Sequence, residues 1–193
     1  MANVPEETLS TAEREAGWMF SKADIEVSWV GCPLPRRERA GNQVCKQTAD
    51  PLLFVFSIVD SAPNADIEES TLGFALPFTA TANHAAALYS KINELANQQS
   101  VEVHYLLAHV IAHEVAHLLF RSFRHGDGIM RAKWTDEDLQ LMRQRSLPFT
   151  RQQSHELIHG LKQRLKAALT SSRGNGSGTE LLVSDINGRN YVQ

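Results

Sequence analysis

The chain has little cysteine and no excess of basic charge, its first residues predict no export signal, and each shortage narrows its possible functions. Only two cysteines occur in 193 residues, which excludes a disulfide-rich scaffold. Nineteen basic residues stand against 22 acidic ones, a formal net charge of −3, and this balance argues against a nucleic acid partner. Residues 1–7 contain neither a basic region nor an apolar core. Two locations follow as expectations: the cytoplasm, or export with the signal removed.

An apolar run suited to a bilayer is also missing. The longest apolar stretch, residues 101–120, contains four histidines and two glutamates, which are costly in hydrocarbon. We therefore predict no membrane span and interpret this stretch as a buried helix. With 42% hydrophobic and 21% charged residues, the composition is that of one soluble globular domain.

Apolar periodicity predicts an α+β domain over residues 1–170, with a small mixed sheet packed on helix 101–120 and a helical carboxyl-terminal part. The predicted helices are 6–22, 85–96, 101–120, 135–144 and 151–169, and the predicted strands are 25–30, 52–59 and 72–76. Pro77 ends the last strand and lacks an N–H, which favours a sheet edge. Glycine and serine over 171–178 predict a flexible tail from 171 to 193.

The strongest chemical signal is an H-E-x-x-H motif in the most apolar predicted helix. His113 and His117 are four residues apart, so their side chains project from one helix face and can reach a single zinc ion. Glu114 lies about 100° round the helix, where it can hold a metal-bound water as general base. The motif fixes only three residues, so its specificity depends on its surroundings.

The residues after the motif supply a third ligand and a turn. His125 follows His117 by eight residues, enough for the helix to end and the chain to turn back. Three protein ligands would leave one coordination position for water, as in catalytic zinc sites. The sequence Gly128-Ile129-Met130 predicts a tight turn that places Met130 beneath the metal. Asp127, or Glu137 or Asp138 in the next helix, is an alternative third ligand.

Other histidines are less suited to the site. A second H-E-x-x-H, at residues 155–159, is surrounded by arginine, lysine and glutamine and has no later histidine, which predicts a solvated helix face. His109 would lie about 12 Å along the helix from His117, too far to share one ion. We predict that His109 packs in the core or supports the ligands.

The run from His113 to Trp134 resembles a largely uncharacterised family of short bacterial zinc metallopeptidases, and is more broadly similar to the metzincins. The likeness extends to the segments 29–33, 72–75 and 110–112. It implies a zincin-like fold, zinc held by His113, His117 and His125, Glu114 as base and Met130 as the methionine turn. Metzincins usually carry glycine where Phe120 stands, and the bacterial family commonly has glycine at the positions of Ala116 and Arg121.

The two cysteines, Cys32 and Cys45, leave both a disulfide and two free thiols open. Members of the bacterial family are often exported, and that likeness favours the disulfide and an extracytoplasmic location.

The resulting prediction is a zinc-dependent metalloendopeptidase in which Glu114 activates a zinc-bound water and the substrate is a peptide or protein. An extended peptide would pair with the predicted edge strand, residues 72–76. Two rivals are a non-catalytic module with a structural zinc and an apolar interaction helix with incidental histidines. The sequence gives no signal for the oligomeric state.

Overall fold

Helix α3 (Val103–Phe120) is the central element of the fold, and most of the other elements pack against it. The computed structural model describes residues 2–32, 50–61, 68, 70–79, 83–174, 183–184 and 190–191. In chain order the described elements are α1 (Glu6–Ser21), β1 (Val55–Val59), β2 (Gly73–Ala75), β3 (His84–Leu88), α2 (Tyr89–Gln98), α3, a 3₁₀ turn (Gly128–Met130), α4 (Asp136–Arg143), α5 (Arg151–Gly174), β4 (Val183–Ser184) and β5 (Asn190–Tyr191).

Helix α3 is apolar because it is buried on nearly every side. It is long and apolar enough to cross a membrane, but 78% of it is enclosed by the rest of the chain. Leu106, Leu107 and Ile111 are among its fully buried side chains and join α1 and the sheet in one core. A helix that is hydrophobic all round is typical of the core of a protein, and burial accounts for this composition.

The sheet beside α3 is small and mixed, as predicted. Its order is β1-β3-β2, with β1 parallel to β3 and β2 antiparallel to β3. Within the described residues β2 is an edge strand, and it packs on α3. Gly73 of β2 allows this approach, because a Cβ there would lie 2.7 Å from Val110 Cγ1 and 3.0 Å from Glu114 Cγ.

Two predicted elements are wrong in detail. Residues 84–88 form the central strand β3, although their alanines favour a helix, and α2 begins only at Tyr89. Small side chains are needed there because β3 is flanked by two strands and buried against α3. Residues 25–30 form no strand, yet Ile25, Val27 and Trp29 still alternate inward onto the core.

The predicted tail overlaps α5, which continues to Gly174. Beyond it, β4 and β5 pair antiparallel. Cys32 forms a disulfide, while Cys45, the partner that the family resemblance favours, lies outside the described residues.

Helix α5 is held against the carboxyl-terminal end of α3. Arg164, which is buried, donates from Nη2 to the Leu118 carbonyl and from Nη1 to the Pro51 carbonyl, each at 3.0 Å. The Leu118 carbonyl, one of the last in α3, therefore accepts from α5 as well as from the Arg121 N–H. The two helices touch at Gly160, where a Cβ would lie 2.1 Å from the Leu119 carbonyl oxygen.

Candidate metal centre

Three imidazoles meet at the end of α3. Each of His113, His117 and His125 offers a ring nitrogen, and these atoms all lie within 4.8 Å of one another. The ring centroids are 4.7 Å apart for His113 and His117, 5.4 Å for His113 and His125, and 5.0 Å for His117 and His125. The structure thus brings together the three histidines chosen from the sequence, and together they could hold a metal ion.

Backbone carbonyls orient the two helix histidines. His113 Nδ1 lies 2.8 Å from the Ile129 carbonyl oxygen, and His117 Nδ1 lies 2.8 Å from that of Ser122. A carbonyl only accepts hydrogen bonds, so both Nδ1 atoms carry the proton and donate it. This leaves a lone pair on Nε2 of each ring, the form in which histidine binds metals.

The two Nε2 atoms face each other at a distance of 3.0 Å. With both Nδ1 protons committed to carbonyls, neither Nε2 has a hydrogen to donate, so two lone pairs converge. Two ligands on one tetrahedral ion at about 2.1 Å would lie about 3.4 Å apart, close to this separation. The donor atoms and their spacing therefore fit a shared metal ion.

A left-handed residue ends α3 and turns the chain back towards His125. Arg121 adopts φ 49° and ψ 47°, and Ser122 N–H donates to the His117 carbonyl at 3.3 Å. This conformation costs an ordinary residue about 1–2 kcal/mol, and glycine adopts it at the lowest cost. Arginine adopts it, and the turn places the Ser122 carbonyl against His117 Nδ1.

The predicted turn at residues 128–130 exists and is linked to the ligands. Gly128 has φ +59°, a conformation that favours glycine, and Gly126 N–H donates to the Met130 carbonyl at 2.8 Å. Met130 is buried and lines the same cavity as His125. The turn also supplies the Ile129 carbonyl that orients His113.

Glu114 lies on the same helix, beside the histidine cluster, and among the described residues its carboxylate has no hydrogen-bond or ion-pair partner. Its exposed fraction is 7%, and its Cγ packs on Gly73 of the edge strand β2. In the part of the chain that the structure describes, no hydrogen bond or ion pair engages it. Burial raises the pKa of Glu114 to about 8, and a nearby cation would act in the opposite direction.

Electrostatics keep the two helix imidazoles neutral. Burial of the rings is the largest cause of their pKa shifts, and it lowers the pKa of His113 to about 3 and that of His117 to about 4. The hydrogen bonds to the Ile129 and Ser122 carbonyls oppose this shift, and the charge of neighbouring imidazoles reinforces it. Neutral imidazole is the form that coordinates a metal, so no proton needs to be displaced near neutral pH.

The acids considered as substitutes for His125 lie outside the cluster. Among the described residues, Asp127, Glu137 and Asp138 do not join the three histidines. Asp138 is committed elsewhere, since it forms a capping box with Thr135 at the start of α4 and an ion pair with Arg131 at 3.4 Å.

The second H-E-x-x-H is on the surface of α5, as predicted. His155, Glu156 and His159 are exposed, and the described imidazole cluster does not include them. Glu156 accepts a hydrogen bond from Gln152 at 2.9 Å, an ordinary contact on a helix surface.

His109 is a core residue, one of the two roles that the sequence suggested. Its Nδ1 lies 2.8 Å from the Tyr105 carbonyl oxygen, and its ring meets Trp134 edge to face. Burial lowers the pKa of His109 to about 4, although the Tyr105 and Leu147 carbonyls oppose the shift.

This burial predicts acid sensitivity. The folded chain keeps His109 neutral down to about pH 4, whereas the unfolded chain binds a proton below about pH 6.5. The free energy of unfolding should therefore fall by up to about 3 kcal/mol on account of His109 between pH 6.5 and 4. Urea denaturation of wild type and His109→Gln across this range should show a shallower slope in the variant. Exposed His84→Gln is the control, and equal slopes for wild type and His109→Gln would contradict the prediction.

The sequence did not predict the backbone carbonyls of Ile129 and Ser122, or the side chain of Trp134, as partners of the imidazole cluster. Trp134 Nε1 donates to the same Ile129 carbonyl that accepts from His113, at 3.2 Å, and its ring contacts His113 at 5.8 Å between centroids. Every residue has a backbone carbonyl, so the sequence gives no signal for these acceptors. Only Trp134 could have been suspected, because it ends the run from His113 that resembles the metallopeptidase family.

Comparison with known proteins gives no assignment of the chain. No protein-family model matches it, and neither a curated protein nor a solved structure does.

Proposed function

We propose that this protein is a zinc-dependent metallopeptidase with a zincin-like fold, in which His113, His117 and His125 hold the metal and Glu114 is the general base. The observation that carries the proposal is the position of Glu114. Its uncompensated carboxylate lies between two ligand positions in sequence and packs on the edge strand. A metal site with a purely structural role has no need of such a carboxylate.

The ligand set favours zinc. Three imidazoles, two of them with Nδ1 hydrogen-bonded to a backbone carbonyl, form a ligand set typical of zinc sites, whereas calcium and magnesium prefer oxygen ligands. A closed structural site fills four positions with protein ligands, and the described residues provide three. Three protein ligands rather than four favour a catalytic site over the structural zinc module.

Zinc, when bound, supplies Lewis acidity that polarises a carbonyl and lowers the pKa of water. The chain supplies the proton transfers. Glu114 takes a proton from the attacking water and then delivers it to the leaving amine, so the carboxylate is regenerated in each cycle. The Ile129 and Ser122 carbonyls hold the imidazoles in place throughout.

Strand β2 favours a peptide as the substrate. It is an edge strand in the described part of the chain, and its Gly73 lies against Glu114. An extended peptide can pair with a free sheet edge through main-chain hydrogen bonds, which do not depend on side-chain identity. A peptide on β2 would run beside the general base.

Metal analysis of tag-free protein tests the site. We expect one zinc per chain in wild type, loss of zinc in His113→Ala and His125→Ala, and full zinc in the matched surface variant His155→Ala. His125 is exposed, so its replacement leaves the core intact. Zinc retained by His113→Ala would overturn the proposal. Zinc retained by His125→Ala but lost in Asp127→Ala would move the third ligand to the acid.

Hydrolysis tests the activity. A mixture of synthetic peptides should be cleaved by the zinc-loaded protein, protected when a chelator is added, and cleaved again when zinc is restored. Stoichiometric zinc without cleavage of any peptide would instead support the structural zinc module.

A further inference from the structure

Two exposed phenylalanine rings lie beside the imidazole cluster. Phe78 is 64% exposed and Phe123 is 56% exposed, and their centroids are 5.1 Å apart at an interplanar angle of 73°. Edge-to-face contact at this distance is a favourable aromatic geometry. In the described part of the chain, no other pair of phenylalanines in ring contact is exposed in this way.

The pair joins two segments that the proposed site already uses. Phe78 follows edge strand β2 by three residues, and Phe123 lies in the loop between His117 and His125. The segments are far apart in sequence and meet here at their rings. A peptide that ran along β2 and over the ligands would pass this contact.

The surroundings favour an apolar side chain rather than a charged one. Phe78 and His125 both line a cavity of about 1520 Å³ between the end of α3 and α5. Its lining also includes the apolar residues Leu119, Phe120 and Met130, together with polar residues of α5 such as Gln152, His155 and His159. Phe123 is outside this lining and contacts it through Phe78. The charged residues of its wall balance, with three arginines (Arg121, Arg124, Arg164) and three acids (Asp50, Asp127, Glu156). A single charged side chain would therefore gain little net attraction, whereas an apolar one would cover exposed rings.

We propose that Phe78 and Phe123 bind a bulky apolar side chain of the substrate next to the scissile bond and so determine the specificity of cleavage. This inference rests on the proposed peptidase function. It assigns the substrate class as peptides with an aromatic or large aliphatic residue within a few positions of the cleaved bond.

Peptide series with one variable position test the inference. Each quenched fluorescent peptide would carry Phe, Leu, Ser or Asp at one of three positions on either side of the scissile bond. We expect wild type to prefer Phe and Leu over Ser and Asp at one position by at least about tenfold in kcat/KM. Phe78→Ser and Phe123→Ser should each remove most of that preference while zinc content stays unchanged.

The matched control is Leu169→Ser. Leu169 is a similarly exposed apolar residue, at 53%, on α5 and outside the cavity lining. Its replacement should leave the preference unchanged. An apolar preference that survives in the double variant Phe78→Ser/Phe123→Ser would overturn the inference, and so would self-association of wild type that this double variant abolishes.

Measurements of peptide binding distinguish a failure of this inference from a failure of the proposed function. Calorimetry with zinc-loaded Glu114→Gln measures peptide binding without turnover. If wild type cleaves no peptide, the proposed function fails. Weaker binding of the Phe peptide by Glu114→Gln/Phe78→Ser than by Glu114→Gln alone would still support the side-chain site, and equal binding would overturn it.

Discussion

Replacing Glu114 with glutamine should reduce kcat/KM for peptide hydrolysis by about 10²–10⁴-fold, the range for loss of a positioned general base. Glutamine has nearly the same shape but cannot accept and return a proton. Zinc should be retained at one ion per chain, because the proposed ligands His113, His117 and His125 are unchanged and so are the carbonyl partners of the first two. Metal analysis and hydrolysis of the best peptide would be measured on the same preparation.

The chain offers a matched control for this variant. Glu156 occupies the same place in the second H-E-x-x-H, but it lies on the exposed face of α5 and pairs with Gln152. Glu156→Gln should leave zinc content unchanged, and because Glu156 is not beside the imidazole cluster its effect on turnover should be small compared with that of Glu114→Gln. Wild-type rates in Glu114→Gln, or an equal loss in the two variants, would rule out Glu114 as the base.

Replacing Gly160 with alanine should destabilise the protein by about 2–3 kcal/mol, the upper part of the usual range for overpacking. A Cβ at this position would lie 2.1 Å from the Leu119 carbonyl oxygen and 2.8 Å from the carbonyl carbon. Both atoms are backbone, so relief requires α5 to move away from the end of α3. That movement would also disturb Arg164, which bonds to the adjacent Leu118 carbonyl. Urea denaturation measures the loss.

Replacing Gly17 with alanine should have the opposite effect on the stability of the protein. It lies inside α1, and the nearest atom to a Cβ there is Trp29 Nε1 at 3.7 Å, an ordinary contact. Gly17→Ala should therefore stabilise the protein by about 0.5–1 kcal/mol through helix propensity and reduced unfolded-state entropy. If Gly160→Ala were also stabilising, the close packing of α5 on α3 would be incorrect.

Much of the candidate metal centre was readable from sequence because its spacing is local. His113 and His117 depend only on helix geometry, and that geometry is set once residues 103–120 are recognised as a helix. His125 was a weaker inference, since it depends on a left-handed turn at Arg121, where arginine gives no signal of that conformation. The turn at Gly128 was readable because glycine marks positive φ.

The sheet shows where local reasoning fails. Strands were predicted at 52–59 and 72–76 from their apolar runs, and they form at Val55–Val59 and Gly73–Ala75, but β3 was assigned to a helix. Three consecutive alanines, Ala85 to Ala87, favour a helix in isolation and carry no sign of their partners. Hydrogen bonding to β1 and β2 on either side overrides that preference.

The sequence by itself determined the composition class, the apolar helix and the pair of imidazoles on it, because helical periodicity is a property of neighbouring residues. Tertiary structure alone decided which side chains meet across the chain: Gly73 against Glu114, Gly160 against Leu119, and Phe78 against Phe123. It also supplied the carbonyls of Ser122 and Ile129 as partners of the ligands. These contacts join distant segments or use backbone atoms that every residue possesses, so no pattern of residue types encodes them.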